Sequence, residues 1–124
     1  MANAINWFEI PAANFKRAVD FYTKVLGSEL PLSEMEGIQM AFFPCEGQNV
    51  GGCIKHDGDT KPSADGTLAY LNGGADFSDM LSRVEQAGGK VVMPKTKLSD
   101  EVGYIAMFMD SEGNKVAFHS PISA

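Results

Sequence analysis

Asn14-Phe15-Lys16-Arg17-Ala18-Val19-Asp20-Phe21-Tyr22-Thr23-Lys24-Val25-Leu26-Gly27 is the stretch on which the fold turns. Asn14 has the short polar side chain that caps a helix N-terminus, and Gly27 is the residue type that stops a helix in the left-handed conformation. Between them Phe15, Ala18, Val19, Tyr22, Val25 and Leu26 follow the three-and-four spacing of a buried stripe, while Lys16, Arg17, Asp20 and Lys24 occupy the other side. The spacing predicts a helix over 15–26. At an offset of 62 residues the pattern returns: Asp76 precedes a stripe of Phe77, Met80, Leu81, Val84 and Ala87, and Gly88-Gly89 closes it. Phe15 falls on Phe77, Val19 on Leu81, Tyr22 on Val84 and Gly27 on Gly89.

The flanks repeat as well. Ile5-Asn6-Trp7-Phe8-Glu9-Ile10 reads as a strand that Pro11 ends, with Phe8 and Ile10 on one face and Trp7 and Glu9 on the other. Strands are expected near 29–35, 38–45 and 49–56, followed by a polar connection over 57–66. A strand over 67–71 then precedes the second helix, and strands near 90–96, 103–109 and 115–119 follow it. Each half therefore holds one β-α-β-β-β unit, with boundaries at 1–62 and 63–124. A sheet covered by one helix leaves its second face open. The expected fold is α+β: two such modules in one compact domain, their curved mixed sheets enclosing a cavity.

Composition narrows the function. Of 124 residues 44% are hydrophobic and 21% charged, an ordinary globular balance. Sixteen acidic against ten basic residues give a net charge of −6, which argues against nucleic acid or an anionic membrane surface as partner. No apolar run approaches the roughly 18 residues of a membrane-spanning helix. Met1-Ala2-Asn3-Ala4 has neither the basic nor the apolar region of a signal peptide, and two cysteines are too few for a disulfide framework. A soluble, cytoplasmic protein is the expectation. No nucleophile elbow, phosphate-binding glycine loop or dinucleotide fingerprint is present.

Phe21-Tyr22-x-x-Val25-Leu26-Gly27 after a strand, the helix end Arg83-Val84-Glu85-x-Ala87-Gly88-Gly89, and Asp110-Ser111-Glu112-Gly113-Asn114 before a last strand carry a family resemblance. The chain resembles the vicinal oxygen chelate superfamily of glyoxalases, bleomycin resistance proteins and extradiol dioxygenases, over nearly its whole length. The resemblance implies a homodimer, a small-molecule ligand and a divalent metal on the first, fourth, fifth and eighth strands. Those positions fall on Trp7, on Cys53 or Ile54, on Ala69 or Leu68, and on Ala117. Trp7, Leu68, Ala69 and Ala117 offer no lone pair to a divalent ion in water. No metal ligand and no cofactor are therefore assigned.

Trp7 and Glu9 form the leading candidate pair. On the concave side, an indole gives a stacking surface and a carboxylate can accept hydrogen bonds or a proton. A buried Glu9 would hold its proton more tightly, as functional carboxylates do. The competing structural reading puts Trp7 in the sheet core and pairs Glu9 with a lysine. His119 shares the face of Ala117 and either borders the cavity or caps the strand end. Tyr104 and one of Phe42 and Phe43, with Phe43 the one assigned, complete an apolar lining. His56 beside Asp57 and Asp59 is read as a polar loop rather than a metal site. Lys95 and Lys97 either draw an anion to the cavity mouth or protect a sheet edge. The candidate catalytic groups are Glu9 and His119; the candidate ligand-binding residues are Trp7, Glu9, Phe43, Tyr104 and His119. The leading function is metal-free small-molecule binding. The alternative is a divergent lyase, isomerase or dioxygenase that moves a proton through Glu9 or His119.

Overall fold

A computed structural model describes residues 3–47 and 49–122. Helix α1 spans Phe15–Leu26, as the sequence predicts. The Asn14 side chain accepts from the Arg17 amide, and Gly27 turns the chain out of the helix at φ +72°. Ahead of it, strand β1 (Trp7–Pro11) keeps the proline expected to end it. Pro11 costs nothing there: the Ala12 amide bonds Lys55, so the missing N–H of Pro11 faces the open sheet edge. Strands β2 (Leu32–Met35), β3 (Ile38–Phe42) and β4 (Gly51–His56) are shorter than expected, and each lies within its predicted stretch.

The second half repeats the order with strand β5 (Ala69–Asn72), helix α2 (Ser78–Ser82), and strands β6 (Lys90–Ser99), β7 (Gly103–Met109) and β8 (Lys115–Ser120). Helix α2 is one short turn, not the full stripe through Ala87. Ser78, Asp79 and Ser82 are weak helix formers, and the chain tightens into i→i+3 bonds from Arg83 to Met80 and from Val84 to Leu81. Asp76 still does the capping work, accepting from the Ser78 amide at 2.9 Å.

The two sheets have one topology, β1-β4-β3-β2 and β5-β8-β7-β6. In each the first strand runs parallel to the last and the other pairs are antiparallel, giving two mixed sheets. Helix α1 lies between them. Tyr22 meets Phe43 edge-on at 5.2 Å on the side of the first sheet and Phe108 at 6.5 Å on the side of the second. The helix-facing residues of both sheets, among them Ile10, Ala41, Ile54, Phe108, Val116 and Phe118, thus share one core.

The second half grips α1 at both ends. At the start, Glu112 accepts from the Asn14 amide at 2.7 Å and from Arg17 Nε at 2.6 Å. At the end, the Arg83 guanidinium donates twice to the Val25 carbonyl, at 3.0 and 2.8 Å, and Lys24 reaches the Gln86 carbonyl. The Val25 carbonyl, in the last turn of α1, has no partner inside the helix.

Candidate functional site

Strand alternation decides which side chains leave the core. In β1, Phe8 and Ile10 turn to the helices, and Trp7 and Glu9 stand on the outer face. The parallel register sets Trp7 beside Gly51 and Glu9 beside Cys53. Cys53 lies opposite Phe42, which places Phe42 on the same outer face, 6.1 Å from the Trp7 ring. Trp7 is 45% exposed, so it does not fill the sheet core. Glu9 is not buried; its carboxylate takes a 3.1 Å bond from Lys55 Nζ, while Asp57 stands 3.4 Å from the same ammonium. The hydrogen bond to Glu9, before any other contact, raises the Lys55 ammonium above its usual range. Beneath lies Cys53, whose thiol burial pushes up to about 11. The first outer face is an aromatic platform beside an ion pair, over a thiol that keeps its proton at neutral pH.

His119 stands on the other sheet. It pairs with Asn72 across β5 and with Ile105 across β7. With Tyr70, Asn72, Ile105, Leu98 and Val102 it borders a cleft of about 780 Å³ on the outer face of the second sheet. Nε2 of His119 contacts the Val102 carbonyl, an acceptor, so Nε2 carries the hydrogen of that contact. Trp7 and Glu9 on one outer face and His119 on the other lie on opposite sides of the shared core. A single chain does not bring them together.

Two other expected members of the lining lie on the helix side. Phe43 comes one residue after Phe42 and therefore points inward, stacked on Phe8 at 5.4 Å. Tyr104 also faces the helix side, with Lys95 Nζ 4.8 Å over its ring. The choice between Phe42 and Phe43 turned on a register that β4 alone sets, and Phe42 is the one beside Trp7. Tyr70 and Asn72 received no role in the sequence reading; an aromatic residue at an alternate position of a short edge strand was the available signal. Phe43 instead borders a second cleft, of about 660 Å³, between the two modules.

The remaining polar candidates are tied into the fold. His56 Nδ1 meets the Ala12 carbonyl at 2.7 Å. Asp57 accepts from the Thr60 and Asp59 amides, which hold its carboxyl well below the usual range. Lys95 pairs with Asp76 at 3.0 Å and Lys97 with Asp100 at 2.7 Å. Cys45 is exposed and Cys53 buried, both as free thiols. Among the described residues no three His, Cys, Asp or Glu side chains converge as metal ligands, and no helix is long and apolar enough to cross a membrane.

Two sheets of identical β-α-β-β-β order around shared helices match a known family. The profile of the Glyoxalase/Bleomycin resistance protein/Dioxygenase superfamily covers residues 4–118, and the chain belongs to that family. No curated protein matches it in sequence. Solved structures share the fold. Glyoxalase I from Zea mays is 18% identical at a TM-score of 0.67, covering 95% of this chain and 44% of its own. This chain thus spans under half the length of the maize protein. A glyoxalase/bleomycin resistance protein from Albidiferax ferrireducens T118 is 16% identical at a TM-score of 0.68, covering 94% and 98% of the two chains. TnmS3, an antibiotic binding protein from Streptomyces sp. CB03234, is 22% identical at a TM-score of 0.65, covering 98% of each.

Proposed function

We propose that this chain is a cytoplasmic, homodimeric small-molecule-binding protein that works without the metal its family implies. The observation that carries the reading is Trp7: the only tryptophan of the chain is held out of the core beside Phe42, with the Glu9–Lys55 pair on the same face. An aromatic surface kept in water at the mouth of a sheet stabilises the protein little and serves a planar ligand well.

The donor set does not fit a divalent ion. Of the positions the family uses, Trp7 and Ala117 carry no ligating atom, and neither does Ala69. No step is routed through a metal. The exposed apolar side chains of the outer faces, Trp7, Met35, Tyr70 and Leu98, support a second chain as cover. Laying the second sheet of one chain on the first sheet of another would set His119 and Tyr70 across from Trp7 and Glu9. The similarity to an antibiotic binding protein supports the binding role, and the net charge of −6 favours cationic ligands at long range. The free thiols suit a reducing compartment.

His119 favours a second reading, proton transfer in a lyase or isomerase. Its place in a cleft with Tyr70 and Asn72 suits a general base.

Two measurements test the proposal. Elemental analysis of the purified protein should find no stoichiometric divalent metal; a tightly held ion would overturn the metal-free reading. A screen of cationic and neutral aromatic compounds, read by Trp7 fluorescence, should give saturable quenching without turnover. Trp7→Ala should then weaken the best compound roughly tenfold, about 1.4 kcal/mol. Turnover that follows a bell-shaped pH profile and vanishes in His119→Gln would decide for the enzyme instead.

A further inference from the structure

We infer that the cleft between the two modules is a second binding site, for an uncharged planar aromatic molecule. This site is separate from the outer face proposed above. It opens on the helix side of the sheets, where Phe8, Phe43, Leu26, Met80, Leu68 and Val50 form its walls, and its volume is about 660 Å³. Such a volume lies within the range of small-molecule sites.

Two observations define the ligand. First, among the described residues no lining side chain bears a charge, so an ion entering the cleft would lose its hydration with nothing to replace it. Second, the floor is flat. A Cβ on Gly52 would lie 2.4 Å from the Phe8 ring, so only glycine lets that ring rest on the sheet. Phe8 in turn stacks on Phe43 at 5.4 Å with an interplanar angle of 28°. The paired rings form an aromatic wall of the cleft.

The β5 strand links this site to the other. Tyr70, Leu71 and Asn72 border both this cleft and the cleft that holds His119. A ligand wedged here bears on the back of the strand whose front lines the outer face.

The test uses the full chain and two dyes with one aromatic skeleton: neutral N-phenylnaphthylamine and its sulfonated analogue anilinonaphthalenesulfonate. The neutral dye should brighten and saturate at one site per chain, with the anionic dye roughly tenfold weaker or worse. Val50→Asp, a change in a loop outside the strands, should weaken the neutral dye roughly tenfold, and Trp7→Ala should leave it within about twofold. Should Val50→Asp fail to fold, methyl shifts in the unmodified protein decide: those of Leu26, Leu68 and Met80 must move with the neutral dye, and those of Met40 and Ile105 must not. The inference is overturned by the absence of saturable binding, by equal affinity for both dyes, or by loss on Trp7→Ala alone. It is equally overturned if the dye is excluded and these methyls respond instead to protein concentration, because a second copy then fills the cleft. The Trp7 variant separates failure here from failure of the outer site.

Discussion

Tyr22 of α1 donates its hydroxyl to Asp110 Oδ2 at 2.7 Å, a buried bond between residues 88 positions apart. Asp110 also accepts from the Glu112 and Asn114 amides and from the Asn114 side chain, which itself donates to the Pro11 carbonyl. One carboxylate thus closes the last tight turn, holds the first helix and reaches the end of the first strand. Tyr22→Phe leaves the ring packing intact and removes one donor to a charged acceptor, so it should cost about 1.5–3 kcal/mol. Urea unfolding should show this loss with an unchanged slope.

The same phenol gives the protein an alkaline limit. Burial, then the neighbouring charge of Asp110, raises Tyr22 well above its ordinary value of 10.0. A group raised on folding contributes fully below its unfolded pKa and loses that contribution as pH climbs toward the folded one. Stability should therefore fall above about pH 10, and Tyr22→Phe should flatten that fall. Denaturation midpoints between pH 8 and 11 in both proteins check this.

On the acid side the sign reverses. Burial opposes ionisation of Glu112, yet the bonds from Arg17, the Asn14 amide and Ser111 together hold its carboxyl below the usual range. The Ser78 hydroxyl and amide, then Lys95, lower Asp76 to about 2. Depressed carboxylates stabilise above their unfolded pKa, about 4, and that stability goes as pH falls toward the folded values. Melting temperature should drop steadily from pH 5 to pH 2. Glu112→Gln should lower it at neutral pH and shrink the drop.

Arg83 closes α1 from outside. Its guanidinium meets the Val25 carbonyl through Nε and Nη2. Arg83→Met keeps most of the stem and leaves that half-buried carbonyl without its charged donor, at a cost of about 1–3 kcal/mol. Amide exchange should speed up first in the last turn of α1. A mutant whose slowest-exchanging amides are all unchanged would refute the link.

Gly89 is a matter of space. A Cβ there would lie 2.4 Å from the Met109 carbonyl oxygen, a backbone atom that cannot swing away, and 2.7 Å from the Phe21 ring. Gly89→Ala should cost roughly 1–3 kcal/mol or more as an overpacked site. Gly88→Ala meets no atom within 4 Å and carries only the strain of φ +108°. Thermal melts of the two variants separate crowding from backbone strain.

Local pattern and tertiary arrangement divide cleanly in this chain. The helix over 15–26, its cap and its stop were legible because each rests on residues within four positions of one another, and the repeat made the strand order readable twice. The inward turn of Phe8 and Ile10, with Trp7 and Glu9 outward, follows from alternation alone. Alternation does not say which phase a new strand starts in. Phe42 rather than Phe43 joins Trp7 because β4 fixes the register of β3, and Lys55 meets Glu9 because β1 and β4 run parallel across 46 residues. Helix α2 ends early as the chain tightens into i→i+3 bonds at Arg83 and Val84, which a stripe of apolar positions conceals. Above all, only the packed structure decides where the sheets put their open faces. Both modules bury their helix sides in one core, so Trp7 and Glu9 leave by one surface and His119 by the other. A sequence records the two faces of every strand; the burial of apolar surface against a particular neighbour chooses between them.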